Sequence, residues 1–167
     1  MSATTRVAGA ARLRMRRPAL PLAGWLALCV GCAVLVGVEY PPGAWFAALA
    51  KPGPLLPDST MAAIFATVLA FTAAAAWRID ARRLPQRPYA LRLFLLQLAL
   101  VFAWIAILFG GHALGPAVAV VTVLWLALVA TVVAFSRLDR LAGVLMVPYL
   151  AWMTFVLQQC AALWTLN

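Results

Sequence analysis

Charged residues occur along this chain in clusters, separated by long apolar runs. Residues 93–136 contain no Asp, Glu, Lys or Arg over 44 positions, and the turn-forming stretch Gly110-Gly111-His112-Ala113-Leu114-Gly115-Pro116 is the one interruption. A hydrocarbon core about 30 Å thick is crossed by roughly 20 helical residues rising 1.5 Å each, so this run holds two spans and a hairpin. The charge-free stretches 18–38, 59–77 and 141–167 each supply one more. The pattern predicts helices at about 19–38, 59–77, 93–109, 116–136 and 141–163. Inside lipid every backbone N–H and C=O must be paired, and these runs are about twice the length of a barrel strand. The expected fold class is therefore an all-α membrane protein, a five-transmembrane-helix bundle over 18–167, preceded by a disordered basic cytoplasmic tail at 1–17.

Composition narrows the choice further. Hydrophobic residues make up 66% of the 167 and charged residues 10%, more apolar surface than a soluble core of this size can hide. The net charge is +9, and with the spans drawn as above twelve of the thirteen basic residues fall on one side. Arg6, Arg12, Arg14, Arg16 and Arg17 precede the first span. Arg78, Arg82, Arg83, Arg87 and Arg92 lie between the second and third, Arg137 and Arg140 between the fourth and fifth, and Lys51 stands alone on the other face. That asymmetry predicts a cytoplasmic N-terminus and an outside C-terminus, and the expected location is a bacterial inner membrane. The arginines flank spans, where anionic headgroups satisfy them, so the expected partner is the lipid bilayer and not nucleic acid. No Ala-x-Ala site follows the first apolar run cleanly, which favours a retained span over a cleaved signal.

The longest outer loop, 39–58, carries Pro41, Pro42, Pro52, Pro54 and Pro57 around the short apolar run 44–50, and reads as a lid containing a partial interfacial helix. The proline-bearing stretch 78–92 reads as a solvated connector. Small residues recur every fourth position at Ala62, Ala66, Ala70 and Ala74, and at Cys29, Ala33 and Gly37, as in close helix packing. Pro148 falls inside the fifth span and is expected to bend it.

Candidate chemistry is aromatic. Trp25, Trp45, Trp77 and Trp164 sit near span ends, where indoles favour the headgroup level. Trp104, Trp125 and Trp152 each lie some ten to twelve residues from a span end, roughly 15 to 18 Å deep. Three indoles at one depth are read either as space-filling or as the lining of an apolar pocket for a flat ligand, with Gln97, Thr154 and Tyr149 as polar contacts. Gln97 is expected to find either an interhelical hydrogen bond or a ligand. Cys29-x-x-Cys32 lies within an apolar helix and reads as packing, and the single histidine, His112, lacks partners for a metal site. No Ser/His/Asp set or phosphate-binding glycine loop occurs. Glu39, Asp58, Asp80 and Asp139 fall at span edges or in loops, so the mid-membrane carboxylate usual in coupled transport is missing.

Three motifs carry a resemblance. They are Trp45-Phe46-x-x-Leu49-x-Lys51-Pro52 with Pro57 beyond; Leu91-x-Leu93-Phe94-x-x-Gln97-Leu98-x-Leu100-x-x-x-Trp104 with Leu108-Phe109-Gly110; and Pro148-Tyr149-Leu150-x-Trp152-x-x-Phe155 with Trp164-x-Leu166-Asn167. In order and spacing the chain resembles the TspO/MBR family, the translocator proteins also called tryptophan-rich sensory proteins. The resemblance covers about residue 24 to the C-terminus. It implies a five-helix bundle, commonly a homodimer, acting as a sensor or trafficking partner that binds tetrapyrroles such as protoporphyrin IX or haem, or sterol-like molecules. No obligatory cofactor is implied. A transporter of small apolar solutes and a structural subunit of a membrane complex are the alternatives. Carried over by motif, Trp45, Leu49, Lys51 and Pro52 belong to the lid, and Phe94, Gln97, Trp104, Tyr149, Trp152 and Phe155 to the pocket. Phe65 stands where the family has a Trp and Val156 where it has an Ala. The light-dependent porphyrin breakdown attributed to family tryptophans is therefore not expected here.

Overall fold

In the computed structural model, which describes residues 20–53, 58–82 and 84–167, with backbone alone at 58, 59, 61 and 62, five long helices form one bundle. The tail expected at 1–17, and Pro54 and Pro57 of the first loop, lie outside the described residues. Helix α1 is Leu22–Glu39, the short α2 is Ala44–Ala48, and α3 is Asp58–Ala81. Helix α4, Arg87–Ile105, runs directly into a π-helical turn at Ala106–Gly110, followed by α5 at Leu114–Leu138 and α6 at Arg140–Leu166. Apart from α2, each helix is long and apolar enough to cross a membrane, as the sequence predicts. The observed ends run past the predicted ones at Ala81, Arg87 and Leu138, because flanking polar residues continue the helix into the headgroup region.

Around the bundle α1 packs on α3, α3 on α6, α6 on α5 and α5 on α4, with a thinner contact from α4 back to α1. Outward-facing Leu95, Leu96, Val123, Leu126, Val144 and Val147 are all exposed, as a lipid-facing surface requires. Close approach of α5 and α6 depends on Gly143: a Cβ there would lie 2.0 Å from Ser136 Oγ and 2.9 Å from Ser136 Cα.

The two ends of the bundle differ. At the arginine-rich end the interior is solid, with Phe94, Phe135 and Ile79 fully buried. Phe94 meets Trp25 edge-on at 5.6 Å and stacks on Phe135 at 6.0 Å. Two buried carboxylates close this end. Asp80 accepts hydrogen bonds from the Leu20 N–H at 2.6 Å and from Trp25 Nε1 at 3.2 Å, and pairs with Arg87. Asp139 accepts from Arg78 Nε at 3.0 Å, from Arg82 at 3.1 Å and, as the N-cap of α6, from the Leu141 N–H at 3.0 Å. Burial pushes the Asp139 carboxyl up, but hydrogen bonds from Arg78, Leu141 and Arg82 together with the Arg78 charge outweigh it and hold the group below the usual carboxylate range.

These contacts correct three expectations. Trp25 is a core residue tied to Asp80 and not part of an interfacial belt, because a buried carboxylate offers its indole N–H a better partner than a headgroup. Arg78, Arg82 and Arg87 bridge helices within the protein, so the 78–92 segment is more than a solvated connector. Ala66 and Ala70 of the second-span stripe are exposed, and α3 buries Val68, Thr72, Ala75, Ala76 and Ile79 instead. Helix rotation follows the bulkier contacts and the Asp80 anchor, and alanine spacing alone does not set it.

Candidate functional site

The other half of the bundle is hollow. A cavity of about 610 Å³ lies between α1, α3, α4 and α6 beneath the first loop. Helix α1 contributes Ala33, Val36 and Gly37; of the small-residue stripe, Ala33 and Gly37 leave room for the cavity, whereas Cys29 is packed in the core. Phe65 enters from α3, Trp104, Leu108 and Phe109 from α4 and its π turn, and Trp152, Phe155, Val156 and Cys160 from α6. A smaller chamber of about 280 Å³, lined in part by Cys29, Thr72, Val101 and Tyr149, continues toward the arginine-rich end. Phe65, Ile105 and Trp152 are among the side chains that border both chambers and stand between them.

The first loop is folded down over the larger chamber. Trp45 of α2 stacks on His112 with ring centroids 4.4 Å apart, and Phe46 meets Phe109 edge-on at 5.2 Å. Lys51 Nζ donates to the Ala47 carbonyl at 3.1 Å and lies 5.4 Å from the centre of the Phe46 ring. Beyond it, Asn167 binds both backbone groups of Ala50. The π turn explains how α4 presents Leu108 and Phe109 to the loop: the Gly111 N–H reaches back to the Ala106 carbonyl at 2.9 Å, an extra residue in the ring, and His112 then takes a left-handed φ of 52°. Gly110 leaves space for Tyr40, since a Cβ there would stand 2.9 Å from its ring.

Of the residues expected in the site, the structure brings Lys51, Pro52, Phe65, Trp104, Trp152, Phe155 and Val156 to the larger chamber and Tyr149 to the smaller one. Trp45 and Leu49 line neither chamber, and Trp45 acts at one remove by fixing α2 to His112. Phe94 is placed in the solid end, packed between Trp25 and Phe135, away from both chambers. Gln97 is fully buried and lines neither, and its side-chain amide finds no hydrogen-bond partner among the described residues, so of the two partners expected for it the interhelical one is not formed.

Trp125 also departs from expectation. Helix α5 contributes nothing to the cavity walls; Trp125 Nε1 donates instead to Thr154 Oγ1 at 2.9 Å across the α5–α6 contact. Of the three indoles, Trp104 and Trp152 reach the cavity and Trp125 does not, because α5 packs on α4 and α6 and lines neither chamber. Tyr40, Phe46, Phe109 and Asn167 are the residues that sequence reasoning left without a role. Phe46, Phe109 and Asn167 do stand inside the resembling motifs.

The lining of this cavity is largely apolar. Its walls are mainly aliphatic and aromatic, Lys51 at the mouth is the one cationic lining residue among the described residues, and Trp104 Nε1 is buried with no hydrogen-bond partner among them. A volume of this order is typical of small-molecule sites.

Comparison with known proteins agrees with this architecture. The profile of the TspO/MBR family matches residues 23–165. The chain is 31% identical to Protein CrtK of Rhodobacter capsulatus over 138 residues, 81% of this chain and 86% of that one. It is 35% identical to a tryptophan-rich sensory protein of Cereibacter sphaeroides, over 78% of this chain and 80% of the other. With the human translocator protein the identity is 30% over 160 residues, 92% of this chain and 94% of that protein. Five spans in this packing order, an aromatic cavity under a folded first loop and these matches together make the chain a member of the TspO/MBR family of integral membrane proteins.

Proposed function

We propose that this protein is a membrane receptor for flat, largely apolar molecules with an anionic edge, tetrapyrroles of the protoporphyrin IX class foremost. The observation that supports this reading is the 610 Å³ cavity in which the Trp104 and Trp152 indoles share one space with Lys51, its one cation among the described residues. Indole faces stack on a conjugated ring system, and the ammonium at the mouth meets a carboxylate that would be costly to bury alone. Neither chamber has a histidine among its lining residues, and His112 is engaged with Trp45, so the donor set suits a metal-free porphyrin better than an iron-ligated haem. In this reading the arginine-rich end faces the cytoplasm of a bacterial inner membrane and the first loop faces outward.

Titrating the purified protein in detergent with protoporphyrin IX tests the proposal. Tryptophan fluorescence is expected to be quenched saturably, with Trp152→Phe weakening binding severalfold. Lys51→Met is expected to weaken protoporphyrin IX severalfold while leaving its neutral dimethyl ester unaffected. An absence of saturable quenching by either ligand overturns the reading.

A further inference from the structure

A second concave surface lies at the opposite end of the molecule. A groove of about 650 Å³ runs between α4 and α5 on the outside of the bundle at the arginine-rich end. Ala90, Ala130 and Ala134 form a shallow trough because their side chains are short, and Val133 walls it. At the helix ends, where a span meets the headgroup layer, Tyr89 and Arg137 stand over the trough, both exposed.

The charge balance there is uneven. Arg78, Arg82 and Arg87 at the same end are each paired with Asp139 or Asp80, whereas Arg137 takes part in no ion pair among the described residues. Helix α4 also has no acidic residue in its first turn. An apolar trough opening to lipid and capped by an uncompensated guanidinium complements an amphiphile with a negative headgroup. A neutral lipid would leave that charge unmatched, and a second copy of this chain would bring another Arg137 to the same basic end.

We propose that this groove is a binding site for one anionic phospholipid, its acyl chain lying along Ala90, Ala130 and Ala134 and its phosphate held by Arg137, with the Tyr89 hydroxyl as a further donor. The site is separate from the aromatic cavity and does not rest on the tetrapyrrole reading.

Native mass spectrometry of the full chain, released from nanodiscs of equal dioleoylphosphatidylglycerol and dioleoylphosphatidylcholine, tests this. Phosphatidylglycerol adducts are expected to predominate. Arg137→Gln should reduce that preference about fivefold, Arg137→Lys should keep most of it and Arg140→Gln should leave it intact. Val133→Trp, which fills the trough, should remove the retained lipid, with far-UV circular dichroism checking that the variant folds. Because Arg137 is exposed, Arg137→Gln keeps the test decisive if Val133→Trp does not fold. An undiminished preference in Arg137→Gln, or an equal loss in Arg140→Gln, overturns the proposal. Efficient disulfide crosslinking of Val133→Cys between copies, absent in the parent, would assign the groove to a dimer contact and overturn it as well.

Discussion

Asn167 clasps Ala50 from both sides. The Ala50 N–H donates to Asn167 Oδ1 at 3.0 Å, while Asn167 Nδ2 donates back to the Ala50 carbonyl at 3.1 Å and to the Leu163 carbonyl at 2.9 Å. A side-chain amide thereby mimics a paired strand edge and fastens the first loop, next to Lys51, to the end of α6. These bonds lie at the exposed rim, where each contributes about 1 kcal/mol. Asn167→Ala is therefore expected to leave the bundle folded while releasing the loop. In stopped-flow displacement of bound protoporphyrin the ligand should leave about tenfold faster, and an unchanged off-rate would show that the clasp does not hold the lid.

Phe94→Ala separates the solid half of the molecule from the hollow half. The ring is fully buried between Trp25 and Phe135, so its loss should cost about 3 to 5 kcal/mol of stability. Because Phe94 lines neither chamber, protoporphyrin affinity at a temperature where the variant remains folded should stay within twofold of the parent. Trp152→Phe should show the reverse, with a small change in melting temperature and a clear loss of affinity.

Acid should weaken the arginine-rich end. The Asp139 carboxyl is held below the ordinary carboxylate range in the folded protein, so the unfolded chain binds that proton more readily. Its stabilisation is complete above about pH 4, the ordinary carboxylate value, and is lost as pH falls through the lower folded value. Melting temperature in detergent should fall on acidification below pH 4, and Asp139→Asn should show a smaller fall. At neutral pH Asp139→Ala should cost at least the ~1 kcal/mol of a lost N-cap, since Arg78 also loses its partner.

Gly143→Ala is expected to disrupt the α5–α6 contact. The added methyl would meet Ser136 Oγ, which a rotamer change relieves, and Ser136 Cα at 2.9 Å, which it does not. Ser136→Ala should be nearly neutral and should fail to rescue Gly143→Ala. Folded yield after size-exclusion chromatography measures both.

Spans, lid and aromatic character were legible in the sequence because each depends on a local quantity. Span length follows from charge-free runs, the loop helix from a short apolar stretch between prolines, and the aromatic character from the tryptophans set well inside the runs. Family membership was legible for a similar reason, since motif spacing survives where individual residues do not. Helix rotation was not local. Whether Ala66 faced protein or lipid, and whether Trp25 met a headgroup or Asp80, depended on which neighbours crowded each helix.

The sequence by itself determined five runs long and apolar enough to cross a membrane, an uneven distribution of basic residues among the segments that join them, and indoles placed well inside the third, fourth and fifth runs. Hydrocarbon thickness and the need to pair every backbone group leave a chain of this pattern no other arrangement. Tertiary structure alone decided which of those indoles share a space. Depth is fixed by position along a helix, but direction is fixed by packing order, which put Trp104 and Trp152 around the cavity, turned Trp125 toward Thr154 and locked Phe94 into the solid end.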